Sequence, residues 1–396
     1  KGLERSAIAP LGEEALRFFD ALPEKYPETG FQYRLPEIEA KFRNSRKPVL
    51  VCGTDIVPDS APSLAADYAL LLKEAKGWAG LFYVLPGPNA FGASLLSPEG
   101  GSLARIVEEI ENGTVRALLI VENDPFWRFP DRQRLRRALA RLECLVVMDY
   151  LPSAAAEMAG VFLPTATLFE TESSWINQEG RLQFAHRFSM TGAPVEQVSG
   201  GGHPPRVFRP DIPGGEPRPA WRALADLEGA MDGRNQEPLE VSAKDVWTWM
   251  KEDHPWLGAV DPFRHPEGFR LAAGKKGARF SPDGPKSIAK IARESLELLD
   301  VDWIFGTEEL SSYSPNLREL EKPPCIFMQS QDALRLGLRD KDRVRILLDG
   351  QALEFDLCAV PNMAEGTLVF PRHRQVEWQK LGIGPGKVPA ENIKKV

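Results

Sequence analysis

Cysteine is scarce in this 396-residue chain: Cys52, Cys144, Cys325 and Cys358 stand alone, none in C-x-x-C spacing. That excludes a legible iron–sulfur ligand set or zinc knuckle. Cys52, Cys144 and Cys358 lie in apolar, strand-like runs, where a free thiol acts as a small hydrophobe, and a reduced cytoplasmic compartment fits best. The five histidines, His186, His203, His254, His265 and His373, make no H-x-x-H or H-E-x-x-H set, so surface or loop positions are expected and no metal site is. No apolar run approaches the roughly 18 residues of a membrane span, and no signal peptide opens the chain. Membrane association is therefore expected only through partners. Forty-nine Lys and Arg against 56 Asp and Glu give a net charge of −7, which argues against nucleic acid and anionic lipid as general partners. Lys1 in place of Met fits a fragment or a processed chain.

Several ligand-binding signatures are also missing. Gly382-Ile383-Gly384-Pro385-Gly386-Lys387-Val388 has the wrong glycine spacing for a phosphate-binding loop and puts Val388 where Ser or Thr belongs. No G-x-G-x-x-G follows a strand, so classical NAD binding is not expected, and no G-x-S-x-G elbow is present.

What is present is an alternation of strands and helices. Residues 11–45 have helical spacing, with Leu16, Phe19 and Leu22. Val49 to Cys52, stopped by Gly53 and Asp55, is a buried strand, and the Ala/Leu-rich stretch 61–75 a helix. The clearest unit spans 115–164: strand Val115–Val121, turn Glu122-Asn123-Asp124-Pro125, amphipathic helix 131–142, strand Leu145–Met148 ended by Asp149, a helical turn at 154–159, and strand Val161–Pro164. Such a crossover makes the strands parallel, and ligands of open parallel sheets sit beyond the strands' carboxyl ends. Here those ends carry Glu122, Asn123, Asp124 and Asp149. The intervening helix carries Arg132, Arg134, Arg136, Arg137 and Arg141, either a docking face for an acidic partner or a solvated surface. Residues 191–220 hold six glycines and seven prolines and form a long loop or insertion. Helical character returns over 221–258, 259–285 is irregular and basic, and 286–299 is expected as one more helix. From about 303 short strands and turns take over, with Asp349-Gly350 a hairpin turn and Gln331 to Leu338 a helical turn capped by Gly337. The fold class is α/β: parallel-sheet, Rossmann-like lobes followed by a small, mostly β, barrel-like C-terminal domain.

One polar stretch stands out. Glu170-Thr171-Glu172-Ser173-Ser174-Trp175-Ile176-Asn177-Gln178-Glu179-Gly180-Arg181-Leu182-Gln183 directly follows a strand end. Its amide and guanidinium groups suit the phosphates or pterin edge of an extended cofactor; the same residues would equally make a structural hairpin with a local Glu–Arg pair.

Taken in order, Pro86 to Ala93, Val121 to Pro125, Val146 to Asp149, Val161 to Pro164 and Asn177 to Gln183 resemble the signatures of the molybdopterin oxidoreductase family. Gln331 to Leu338 with Asp342 to Arg345 is similar to that family's C-terminal dinucleotide-binding barrel. Within the family the chain looks most like the C-terminal part of the G subunits of NADH-quinone oxidoreductases, the large peripheral-arm subunits of respiratory complex I. The resemblance implies domains at 1–80 (partial Rossmann-like lobe), 81–190 (family βαβ domain), 191–302 (insertion and helical linker) and 303–396 (barrel-like domain). It implies a scaffold that supports electron transfer from NADH through iron–sulfur clusters to quinone and is not itself catalytic. The clusters would lie in an upstream region absent here, the partners would be other peripheral-arm subunits, and the location the cytoplasmic face of the inner membrane. No cofactor is expected in this portion. Asp124 for the family's Asn, Gly160 for its Asp and Ser173-Ser174 for Gly-Thr point to a vestigial site.

Two rival readings stay open. In one, the chain is the cofactor-binding half of a molybdenum or tungsten enzyme such as a formate dehydrogenase. Glu122, Asn123, Asp149, Asn177, Glu179, Arg181 and Asp332 would then contact molybdopterin guanine dinucleotide. In the other, it is a stand-alone binding protein that reuses the fold.

Overall fold

The structure is a computed structural model; it describes residues 4–22, 34–58, 60–97, 101–188, 217–231, 241–258, 260–265, 267–271, 280, 294–348, 350–381 and 386–396. His203, the basic 274–277 stretch, the 382–385 loop and most of the Pro/Gly-rich segment lie outside these residues.

The architecture is mixed α/β with parallel sheets and, towards the C-terminus, a curled seven-stranded half-barrel. In the N-terminal lobe β1 (Val49–Gly53) and β2 (Gly80–Val84) pair in parallel across helix Ser60–Lys76. Next comes a three-stranded parallel sheet, β3 (Ala117–Val121), β4 (Cys144–Asp149) and β5 (Val161–Pro164). Its apolar positions meet those of helices Leu103–Glu111 and Arg132–Leu139: Leu145 and Val147 pack with Val107, Ile110, Leu135, Ala138 and Leu139. Each flanking helix starts on a side chain that accepts an orphan amide: Ser102 from Arg105, Asp131 from Arg134, Ser153 from Ala156. The parallel unit expected over 115–164 is thus present.

β6 (Ser173–Ile176) and β7 (Arg181–Ala185) form an antiparallel hairpin, to which β8 (Phe269–Arg270) adds a third strand. The C-terminal sheet comprises β9 (Ser295–Val301), β10 (Cys325–Gln329), β11 (Arg343–Leu348), β12 (Gln351–Val360), β13 (Thr367–Pro371), β14 (Gly386–Pro389) and β15 (Ile393–Lys395). Its order is β14-β9-β13-β10-β12-β11-β15, and its inner face buries Leu296, Leu298, Ile326, Met328, Val344, Phe355, Phe370 and Trp378. Helix Ser330–Arg335 ends as expected at Gly337, whose positive φ of 71° lets the Leu338 amide reach Ala333 O at 2.8 Å.

Three local expectations fail. β1 is not the buried strand expected, since Val49 and Val51 are exposed. The described part of 286–299 is strand, not helix. Leu296, Leu298 and Asp300 are buried at period two while their neighbours are half-buried, and pairing with β13 and β14 overrides the local spacing. Cys144 is exposed and does not act as a small core hydrophobe.

Candidate functional site

The carboxyl ends of β3 to β5 gather acid. Register puts Val121 beside Met148 and Asp149 beside Pro164, so Glu122, Asp149 and Thr165 emerge at one edge. Glu122 turns there with φ of 47°, and its amide donates to Met148 O at 2.7 Å. A non-glycine residue in that region is uncommon and marks a constrained turn. Asp124, buried, accepts from the amides of Phe126 (3.0 Å) and Ala154 (3.2 Å), tying the turn to helix Ala154–Met158, which follows β4. Asp149, also buried, accepts from the Leu151 amide at 3.0 Å. Asn123 is exposed at the rim.

These carboxyls share a perturbation. Burial lifts Asp149 and Asp124 above the ordinary carboxylate range, against the amides that bond them. Packing lifts Glu122 the same way, and the Asp149 charge adds to it. The Thr165 hydroxyl opposes that shift without closing a hydrogen bond of normal geometry; it is a buried oxygen with no partner. The segment between β9 and β10 adds two further groups. Glu309, on helix Glu309–Ser312, is pushed up to about 7 by burial and then by Asp124, Asp149 and Glu308, with Arg128 opposing. Tyr313 is pushed up to about 12 by burial and then by Asp124, Glu309, Asp149 and Glu157, and its hydroxyl donates to Pro152 O at 3.4 Å.

Beside these residues opens a cleft of about 660 Å³ lined by Asp149, Tyr150, Glu157, Phe162, Thr165 and Glu170 among others, with no Lys or Arg among the described residues that line it. Chemically the arrangement accepts N–H or O–H donors. A diphosphate-bridged pterin nucleotide fits this lining poorly, because its negative charge would meet the carboxylates of Asp149, Glu157 and Glu170, and the nearby arginines, Arg128 and Arg132, act on Glu309 and Asp124. Among the described residues no group of three or more His, Cys, Asp or Glu is arranged to hold a metal ion.

The other predicted residues lie elsewhere. Asn177 spends its side-chain oxygen on the Glu179 and Arg181 amides, both at 3.0 Å, closing the β6–β7 turn at Gly180 (φ 73°). Glu179 and Arg181 approach to 3.7 Å on the same turn. The hairpin with a local Glu–Arg pair is therefore what these residues build. Asp332 sits on helix Ser330–Arg335, buried, accepting from Arg335 (2.7 Å) and the Gly366 amide (2.6 Å). Of the seven predicted contacts, the fold brings together Glu122, Asn123 and Asp149. Gly160 lies at the amino end of β5, where its amide bonds Leu145 O, so its departure from the family pattern does not bear on the cleft. Of the arginine row, Arg134 pairs with Glu111 and Arg136 lies over the Phe126 ring; the helix is partly stapled to its own domain.

Sequence reading missed a second charged centre. Arg372, just past β13 and 2% exposed, bonds Asp300 Oδ2 (2.7 Å), both oxygens of Asp55 (2.8 Å each) and Asp302 (3.1 Å). Burial opposes the guanidinium charge, but Asp55 and Asp300 outweigh it and raise its pKa further. Next to it His373 is fully buried, contrary to the surface position expected. Its Nδ1 accepts from the Gln375 amide at 3.2 Å, and its Nε2, with no hydrogen-bond partner, lies 3.9 Å from Glu321 Oε2. Burial lowers its pKa, so it is neutral. Asp55 and Arg372 both follow strand ends, the one signal by which sequence could have flagged them.

The molybdopterin oxidoreductase family model matches residues 57–197. The NADPH-Fe(3+) oxidoreductase subunit alpha of Geobacter sulfurreducens is 25% identical over 285 residues, 72% of this chain and 30% of its own length. The G subunit of the NADH-quinone oxidoreductase of Shewanella oneidensis is 31% identical over 189 residues, 48% of this chain and 19% of its own length. That of Escherichia coli K12 is 29% identical over 418 aligned positions, 87% of this chain and 45% of its own length. The chain thus spans less than half the length of these relatives. No helix among the described residues is long and apolar enough to cross a membrane.

Proposed function

Residues 57–197 constitute a molybdopterin oxidoreductase domain, and from that premise we propose that this chain is the C-terminal scaffold of the G subunit of an NADH-quinone oxidoreductase. On this reading the parent assembly moves electrons from NADH through iron–sulfur clusters held elsewhere towards quinone. This portion performs no chemistry and contacts other peripheral-arm subunits. Its cofactor crevice is vestigial. The observation that carries the reading is the acidic cleft at the strand ends, whose described lining holds Asp149, Glu157 and Glu170 and no Lys or Arg, so that a dinucleotide's phosphates would be repelled there. Supporting it, Asn177 and Asp332 are committed to turns within the protein.

A second reading, the cofactor-binding half of a molybdenum or tungsten enzyme, is favoured by one detail. The buried Thr165 hydroxyl lacks a partner beside a cleft of ligand size. The test is metal and pterin analysis of the native protein purified anaerobically. The scaffold reading expects iron and NADH-dependent quinone reduction in the particle, with neither molybdenum, tungsten nor pterin in proportion to this chain. Near-stoichiometric metal and pterin would overturn it in favour of the second reading.

A further inference from the structure

The β1–β2 sheet is clothed on one side only. Leu50, Cys52, Leu81 and Tyr83 are half-buried, and the Tyr83 hydroxyl donates to Pro62 O of helix Ser60–Lys76 at 2.6 Å. The alternate residues are bare: Val51 is 68% exposed, Val49 54%, Val84 52% and Phe82 37%. Register sets Val51 directly beside Phe82, and Val49 and Val84 at the two ends of the same face. Parallel sheets are found covered on both faces, and a two-stranded sheet alone is marginal.

The helices that precede β1 do not supply the cover. Ile8, Phe18 and Phe19 pack with Leu71 of helix Ser60–Lys76. Phe42 meets Tyr68 of that helix edge-on, and Lys76 Nζ donates to Arg43 O at 2.8 Å. These N-terminal helices stack behind the clothed side. Among the described residues the sheet has two strands, and both its edges are unpaired there.

We propose that the bare face seats one amphipathic helix from further polypeptide of the same subunit. The face fits that occupant in size. Five-residue strands are ~16 Å long and two strands with their side chains ~10 Å wide, the footprint of a helix of about ten residues. A second copy of the chain is disfavoured by area, because stable interfaces take ~800 Å² from each partner, several times what this face offers. The longer relatives supply the material: this chain spans 45% of the Escherichia coli subunit and 30% of the Geobacter one. The inference rests on the chain being part of a longer subunit and not on its redox role, so metal and pterin content does not move it.

The test is carbene footprinting of the native particle, with labelling of Val51 and Phe82 compared against buried Leu71 and against the same residues in the unfolded particle. Labelling near the Leu71 level is expected; labelling near the unfolded level would overturn the proposal. The double variant V51D/F82D, which puts two carboxylates under the helix, is expected to cut recovery of the native particle by at least about tenfold. If it folds and assembles like the wild type, the face is free and the proposal falls. If the variant does not fold, the wild-type footprint decides alone. A particle holding two copies of the chain, separated by V51D/F82D, would replace the helix with a second copy and overturn the occupant named here.

Discussion

Two clusters of carboxylates sit at strand ends in this molecule, and they solve the same electrostatic problem in opposite ways. Around Arg372, Asp55, Asp300 and Asp302 share one buried guanidinium, and each of these contacts is a hydrogen-bonded ion pair. At the ends of β3 and β4, Glu122, Asp124 and Asp149 lie near Glu309, beside a cleft whose described lining includes Asp149 and no Lys or Arg. The first cluster is paired to one guanidinium and ties the loop after β1 to the C-terminal sheet. In the second the carboxyls are pushed above their ordinary range, Glu309 to about 7. Burial alone therefore does not decide what a carboxylate does; the presence of a cation does.

The largest effect should come from making the first cluster resemble the second. Arg372→Met leaves Asp300, fully buried, without its guanidinium, and should destabilise the C-terminal sheet by about 3–5 kcal/mol. Chemical denaturation followed by tryptophan fluorescence reads this. Adding Asp300→Asn should recover part of the loss, because pair and charge then leave together. An R372M protein as stable as the wild type would end the contrast between the clusters.

A smaller effect separates structure from charge in the second cluster. Asp124→Ala removes the acceptor for the Phe126 and Ala154 amides and should cost about 1–2 kcal/mol. Asp124→Asn keeps one of the two acceptors, sets an amide donor against the other backbone N–H and removes a repelling charge, so it should lose less than the alanine variant at pH 7. Equal losses in both variants would mean that removing the charge returns nothing, and the cleft would not be the overcharged site described above.

The smallest expected effect is a slope. Glu309 titrates at about 7 in the folded chain, above the ordinary carboxylate value of the unfolded one. Folding therefore takes up a proton between those values. The stability it contributes is whole below the unfolded pKa and is lost as pH rises through about 7. His373 has the opposite sign: its lowered pKa means stability lost as pH falls below the unfolded histidine value. The difference between wild type and Glu309→Gln isolates the carboxyl, and Tm of the variant should gain on the wild type between pH 5 and 8. A constant difference across that range would show that Glu309 does not carry the proton.

Much of the scaffold was legible because the signals were local. The parallel unit over 115–164 followed from short apolar runs on either side of an apolar-striped helix, and Gly337 from its place after a helical turn. The strand ends correctly marked Glu122 and Asp149 as neighbours. Asn177, Glu179 and Arg181 were harder, since a cofactor clamp and a self-closing turn use the same residues; only the paired 3.0 Å bonds from Asn177 tell them apart. Glu309 and Tyr313 were illegible because they approach Asp124 and Asp149 from a segment more than 150 positions along the chain. Strand β9 was misread because its partners, β13 and β14, follow it by scores of residues and decide its conformation.

The bond between Asp55 and Arg372 spans 317 positions, which fixes its place in time as well as in space. Closing so long a loop costs little extra equilibrium free energy, about 0.6 kcal/mol for each doubling of length. During synthesis, however, Asp55 emerges roughly 15–60 s before Arg372 at ordinary elongation rates. Throughout that interval the first lobe lacks the clamp that ties it to the C-terminal sheet. A ribosome that stalls shortly before Arg372 therefore releases a protein whose opening lobe is unlatched, although every residue of that lobe has been made.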